Sequence, residues 1–313
     1  MAEHPHLYGP VPSRRLGFSL GVDLLPYKTC SMDCVYCQLG GYGHTTMRRK
    51  AFVPVEAVLE EIADVLRSGQ RVDAITFSGS GEPTLHPGIG RLIRGIKRLT
   101  PVPVIVLTNS SLLTRPSVRK AVAAADIVVP SLDAATEAGF RMVNRPHKSL
   151  TAARIIAGLS AFRKEYRGLI WLEVLLVKGM NDGAAELRAL KKAIARIKPD
   201  RVQLNTVVRP PAESSARPLS LRELEKVRSY LGETAEIIAA FSKKSREAEE
   251  ADLSARILDF VRRRPETAAA IARALGASPA GVRKACRALE LREKIRPVDH
   301  QGRIFYEPAS LSI

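Results

Sequence analysis

The chain has little cysteine, little aromatic content, a deficit of acidic charge and no long apolar run. Its four cysteines in 313 residues, three of them within eight positions, do not suit a disulfide framework, so the cluster must have another use. Aromatic residues make up 5%, which argues against a single-stranded nucleic-acid surface built on several stacking platforms. No apolar run approaches the roughly 20 residues of a membrane-spanning helix. The start Met1-Ala2-Glu3-His4-Pro5 has neither the basic end nor the apolar stretch of a signal peptide, so a cytoplasmic protein without a membrane partner is expected. What is present is ordinary for a globular chain: 45% hydrophobic and 26% charged residues, which excludes disorder and collagen. Lys and Arg total 49 against 32 Asp and Glu, a net +17 that points to anionic partners, nucleic acid or an acidic leader peptide, without choosing between them.

From Phe18 to about Arg209, short β-branched or apolar runs alternate with longer amphipathic ones, as in repeated strand–helix units around a parallel sheet. The pattern predicts strands at Gly17–Leu25, Val72–Phe77, Val102–Thr108, Ile127–Leu132, Leu169–Val177 and Arg201–Val208. Apolar residues at helical spacing predict helices at Val55–Arg67, Ile89–Leu99, Pro116–Ala124, Thr151–Tyr166, Ala184–Ile197 and Leu219–Leu231. Six units predict an α/β fold with a partial, TIM-like (β/α)6 barrel, with functional residues in the loops after the strands. The expected domains are 1–240, a charged linker 241–251, and 252–313. The last has helices at Asp252–Arg263, Glu266–Leu275 and Pro279–Glu293, then strands Lys294–Val298 and Arg303–Tyr306 around a His300-Gln301-Gly302 turn. Ser278 before Pro279 is an N-cap signal, and three helices plus a hairpin predict a winged helix-turn-helix.

The sharpest signal is Cys30-Ser31-Met32-Asp33-Cys34-Val35-Tyr36-Cys37, a CxxxCxxC just after the first predicted strand. Three thiolates so close together suit an iron–sulfur cluster or zinc. Zinc would need a fourth ligand, with His44 at feasible spacing; a four-iron cluster held by three cysteines keeps one iron open to a small molecule. Cys286 falls among Val282, Ala285 and Leu289 at helical spacing and is read as core. Ser131 and Asp133 share one face of an extended segment, where they either hydrogen-bond a ribose or cap the helix that follows. Asn109 and Glu173 are further candidates of that kind. His86, His147 and His300 are read as solvated loop residues.

The cysteine motif, with an aromatic residue before its last cysteine, resembles the cluster motif of the radical S-adenosylmethionine superfamily. Its later motif order fits as well: the second predicted strand runs into Ser78-Gly79-Ser80-Gly81-Glu82-Pro83, with Ser80 where that family commonly has glycine. YGPVPSRRLG, KTCSMDCVYCQLG and FSGSGEPTLHP resemble a little-characterised branch related to the wyosine-forming tRNA enzymes. The resemblance implies a [4Fe-4S] cluster on Cys30, Cys34 and Cys37, with S-adenosylmethionine on the open iron. It also implies that the backbone near Gly81 and the Glu82 carboxylate hold the methionine amino group, while Tyr36 faces the adenine. Reductive cleavage would give methionine and a 5′-deoxyadenosyl radical that abstracts hydrogen from a substrate, and an external low-potential reductant would be needed.

Much of the positive charge is dispersed over helix faces such as Arg188, Lys191, Lys192, Arg196 and Lys198. Arg283, Lys284 and Arg287 lie off the apolar stripe of the presumed recognition helix and Arg303 lies in the wing, positions suited to phosphate contacts or to partner docking. Three readings follow: a radical enzyme acting on RNA, the same chemistry on a peptide whose leader the winged helix grips, or a DNA-binding iron–sulfur redox regulator.

Overall fold

The computed structural model describes residues 4–13, 15–41, 43–238, 253–275, 277 and 279–309. Eight strands run in chain order through one sheet: β1 (Leu7–Ser13), β2 (Gly17–Val22), β3 (Ala74–Phe77), β4 (Val104–Thr108), β5 (Ile127–Pro130), β6 (Leu169–Leu176), β7 (Arg201–Thr206) and β8 (Ala235–Ile237). β1 is antiparallel to β2, and every later pair is parallel. The helices are α1 (Val55–Arg67), α2 (Ile89–Leu99), α3 (Pro116–Val122), α4 (Glu137–Asn144), α5 (Ala152–Glu165), α6 (Ala184–Ile197) and α7 (Leu221–Leu231).

Strand alternation divides the side chains between two faces. Ile75, Phe77, Val104, Val106, Val128, Ile170, Leu172 and Val174 are buried in the larger core with the apolar stripes of the helices, such as Val58, Ile62 and Val65 of α1. Each such side chain contributes about 1.5–3 kcal/mol of burial. Ala74, Ile105, Val129 and Trp171 form a separate cluster on the opposite face, against Leu16. Glu173 falls on this second face, where its Oε2 accepts from Arg15 Nη1 at 2.6 Å. Arg15 comes from the turn between β1 and β2, and in a flat sheet four strand spacings, roughly 19 Å, would separate β2 from β6. The sheet must therefore curl round, and the second face is its concave side.

The sequence pattern misses three elements. β1 (LYGPVPS) carries two prolines, which suit only an edge strand, so it does not read as a strand. β8 has three residues, and α4 is a short helix set by its Thr136 cap, whose hydroxyl accepts from Gly139 N at 3.1 Å. The sheet thus has eight strands where six were expected.

The C-terminal part has α8 (Leu253–Arg263), β9 (Glu266–Thr267), α9 (Ala268–Leu275), α10 (Pro279–Leu291), β10 (Ile295–His300) and β11 (Arg303–Pro308). Its three-stranded sheet has the order β10-β11-β9. Glu266 and Thr267 belong to a strand rather than to the predicted helix because they pair with Tyr306 and Phe305. Ile257, Phe260, Ile271, Leu275, Val282, Cys286 and Leu289 form a second core, so Cys286 is an apolar filler here. This part contacts β1 and the end of β7: Gly9 N donates to Asp259 Oδ2 at 3.0 Å, and Arg209 Nε to Glu266 Oε2 at 3.0 Å. The expected linker 241–251 and the Ser278 cap lie outside the described residues. Among the described residues no helix is long and apolar enough to cross a membrane.

Candidate active site

The cysteine loop leaves β2 and is stitched to the turn after β3. Glu82 N donates to Thr29 O at 3.0 Å, and a Cβ on Gly81 would lie 1.9 Å from that carbonyl oxygen, so only glycine allows the approach. Ser80 has a role of its own: its backbone N–H and hydroxyl both donate to Asp23 Oδ2, at 3.0 and 2.6 Å, which binds the turn to the end of β2.

Glu82 is 2% exposed and accepts from Thr84 N, Thr84 Oγ1, Thr108 Oγ1 and Asn109 N at 3.1, 2.5, 2.7 and 2.6 Å. Burial pushes its carboxyl above the usual range, and these hydrogen bonds pull it back in part. Three of these donors converge on Oε1, and Asn109 N reaches Oε2. The carboxylate is thus an internal tie between this turn and the end of β4. Glu82 also caps the 3-10 turn Pro83–Leu85, from inside the protein.

Asn109 passes this tie on. Its Nδ2 donates to Cys30 Sγ at 3.3 Å and to Ser31 Oγ at 2.9 Å, and its Oδ1 accepts from Ser111 N at 3.0 Å. A second carboxylate serves the second sulfur. Asp133, 2% exposed, accepts from Tyr36 Oη at 2.5 Å, Asn144 Nδ2 at 2.6 Å and Leu175 N at 2.9 Å, and Asn144 Nδ2 also reaches Cys34 Sγ at 3.4 Å. Burial pushes Asp133 up to about 6 despite those bonds. Asp133 therefore orients Tyr36 and Asn144, and it lines a small cavity with Asn109 and Ser131. It does not cap the next helix, since Thr136 takes that place. Ser131 is half-buried, bridged to Glu173 through the backbone. The Glu173 carboxylate accepts from Arg15 Nη1 and from Asn205 Nδ2 at 3.2 Å.

The third sulfur has a cation. Lys28, 4% exposed, places Nζ 3.2 Å from Asp33 Oδ1 and is drawn electrostatically to Cys37 as well. Burial lowers the ammonium pKa, but Cys37 and Asp33 outweigh it and leave it above the ordinary lysine value. Burial also raises the other two thiols, Cys30 to about 12 and Cys34 further. Such thiols ionise when a metal takes them as ligands.

Donor chemistry tests the fit. Three half-buried sulfurs, two of them with an amide nitrogen donor and the third interacting with the Lys28 ammonium, match the soft ligation and second-sphere tuning of an iron–sulfur cluster. Among the described residues no three His, Cys, Asp or Glu are placed to hold one metal ion, so the Cys30-Cys34-Cys37-His44 zinc arrangement is not assembled. A cube distributes its cysteines over different irons and needs no such convergence.

The Radical SAM superfamily model matches residues 24–191, which include the three cysteines, Lys28, Glu82, Asn109, Asp133 and Asn144. The chain belongs to the radical SAM superfamily. Members use a [4Fe-4S] cluster and S-adenosylmethionine, and the chain is accordingly an enzyme with that cofactor pair. It is 39% identical over 222 residues to a UPF0026 protein of Synechocystis sp., covering 71% of this chain and 80% of that one. A UPF0026 protein of Methanocaldococcus jannaschii is 32% identical over 228 residues, 72% of this chain and 71% of that one. A Brachyspira hyodysenteriae protein named GTPase Obg is 38% identical over 269 residues; the match takes in 85% of this chain but 40% of that protein's length. The fold is similar to that of a radical SAM methyltransferase from Sphaerobacter thermophilus, with TM-score 0.54 and 18% identity, over 70% of this chain and 66% of that one.

The sequence reading missed Lys28, Asn144 and Arg15. Lys28 had a signal, a charge two residues before the first cysteine, whereas nothing local marked Asn144 or Arg15. His86, expected to be solvated, is 1% exposed, with Nε2 3.0 Å from Val53 O, and burial lowers its pKa. Arg283, Arg287 and Arg303 are exposed as expected; the side chain of Lys284 lies outside the described residues.

Proposed function

We propose that the chain cleaves S-adenosylmethionine reductively and uses the product to abstract hydrogen from a nucleic-acid substrate, RNA, as the resemblance of its motifs to those of the wyosine-forming tRNA enzymes suggests. Cys30, Cys34 and Cys37 hold three irons, and the fourth is open to the cofactor. The observation that carries the reading is the set of three sulfurs in the loop after β2, two with amide donors and the third beside a buried ammonium, while the remaining cysteine lies in another core. When bound, the cluster supplies one-electron reduction of a sulfonium and so radical chemistry, at the low end of a range of roughly −700 to +450 mV, for which an external low-potential reductant is required.

The chain's own part is positioning. Glu82 and Asp133 hold Asn109, Asn144 and Tyr36 in place, and the backbone of the Ser78–Glu82 turn and Ser131 are left to contact S-adenosylmethionine. The division 1–240, 241–251 and 252–313 makes the last part a winged helix, with Arg283, Arg287 and Arg303 facing phosphates. A peptide leader added to the edge of β10 is the weaker alternative, because Pro297 in that strand lacks an N–H for the ladder.

The test is anaerobic reconstitution with iron and sulfide followed by dithionite and S-adenosylmethionine. 5′-Deoxyadenosine should form in the wild type and not in Cys34→Ala. Equal traces in both refute the enzyme reading and leave the redox regulator. RNA binding should weaken steeply with salt, and salt-independent binding refutes the substrate class.

A further inference from the structure

We infer that Lys28 is a positioning residue for the cofactor, a fixed buried cation that makes the Cys37 corner electrostatically unlike the other two. The inference rests on the cluster assignment proposed above.

Two features of Lys28 are unfavourable for folding alone. Its side chain is 2% exposed, a degree of burial lysine hardly ever reaches unless paired. Its φ is +56°, at the third position of a turn that Thr29 N closes onto Pro26 O at 3.1 Å, where glycine would be relaxed and lysine is strained. Such a conformation persists only where the surrounding structure over-determines it.

The surroundings show what is held. Lys28 Nζ lies 3.2 Å from Asp33 Oδ1, in the loop that carries the three cysteines, and its charge is favoured by both Asp33 and Cys37. Asp33 is itself anchored: Oδ2 accepts from Gly43 N at 3.0 Å, and its N–H donates to Asn144 O at 3.1 Å. Cys30 and Cys34 receive neutral amide donors instead. Net charge and hydrogen bonds at the sulfurs are among the factors that set a cluster's potential. Reduction makes the thiolate-ligated cluster more negative, so a cation at Cys37 favours the reduced state, and the Asp33 carboxylate moderates it.

The measurement is a potentiometric titration, followed by electron paramagnetic resonance, of full-length wild type, Lys28→Met and Asp33→Asn reconstituted without S-adenosylmethionine, with iron content determined alongside. Lys28→Met should titrate at a more negative potential, with a several-fold smaller reduced fraction at the wild-type midpoint, and Asp33→Asn should shift the opposite way. An unchanged midpoint in Lys28→Met, or both variants moving in one direction, overturns the inference. If Lys28→Met holds no cluster, Asp33→Asn decides: an upward shift supports the inference, while no shift, a downward one or loss of the cluster there too overturns it. A wild type without a four-iron cluster refutes the functional reading itself, and the inference with it.

Discussion

Two turns on either side of the cysteine loop use the same device with different completeness. After β3, Glu82 fixes Asn109, which donates to Cys30; after β5, Asp133 fixes Asn144, which donates to Cys34. In the first relay the carboxylate grips a backbone N–H, and the asparagine side chain is satisfied at both ends. In the second the grip is side chain to side chain, and Asn144 Oδ1 is buried without a protein partner among the described residues. A cavity of about 10 Å³ lies there, lined by Met32, Ser131, Asp133, Phe140 and Asn144 among others. The first relay is thus part of the sheet, while the second is a packed side-chain arrangement that can be altered with less loss.

The largest expected effect separates the two at the backbone. Gly81→Ala should cost about 3 kcal/mol, because its methyl group cannot lie where the Thr29 carbonyl is without moving the cysteine loop. Ser131→Ala, the matching position after β5, should stay within about 0.5 kcal/mol. Urea unfolding measures both, and equal losses would erase the distinction. Next come the asparagines. Asn109→Ala strands the Ser111 N–H and should cost about 2 kcal/mol, against about 1 for Asn144→Ala, which removes an unpaired atom as well as a bond. The reverse order in the same assay would contradict the comparison.

The smallest effect is a pH dependence. The folded pKa of Asp133, about 6, lies above the ordinary aspartate value, so the folded state takes up the proton first as pH falls. The group therefore adds stability on acidification, about 0.8 kcal/mol between pH 7 and 5.5 relative to Asp133→Asn, and the gain is lost again as pH rises through 6. Unfolding curves of the two proteins at both pH values should diverge by that amount, and parallel behaviour would place Asp133 outside the buried relay.

Local pattern was a good guide where one face decides structure. The bounds of α1, α2 and α6 match their apolar periodicity to the residue, since a 3.6-residue stripe against a sheet needs no further information. It failed for β1, whose prolines are tolerated because the strand is at an edge, and for β9, whose two residues follow their partners in β11. Ser80 shows the limit at the site. As a letter it departed from the family pattern, and only the Asp23 contact gives it a reason.

The sequence alone determined the parallel α/β scaffold, the three sulfurs and the soft-metal chemistry they imply, because periodicity and ligand type are local properties. The tertiary structure decided which groups address each sulfur: Asn109 through Glu82, Asn144 through Asp133, and Lys28 beside Asp33. It also gave Glu82, Asp133 and Glu173 internal partners that the sequence does not show. A carboxylate's role depends on which donors the fold brings within 3 Å of it, and residues as far apart in sequence as Asp133 and Tyr36 meet only when the strands align.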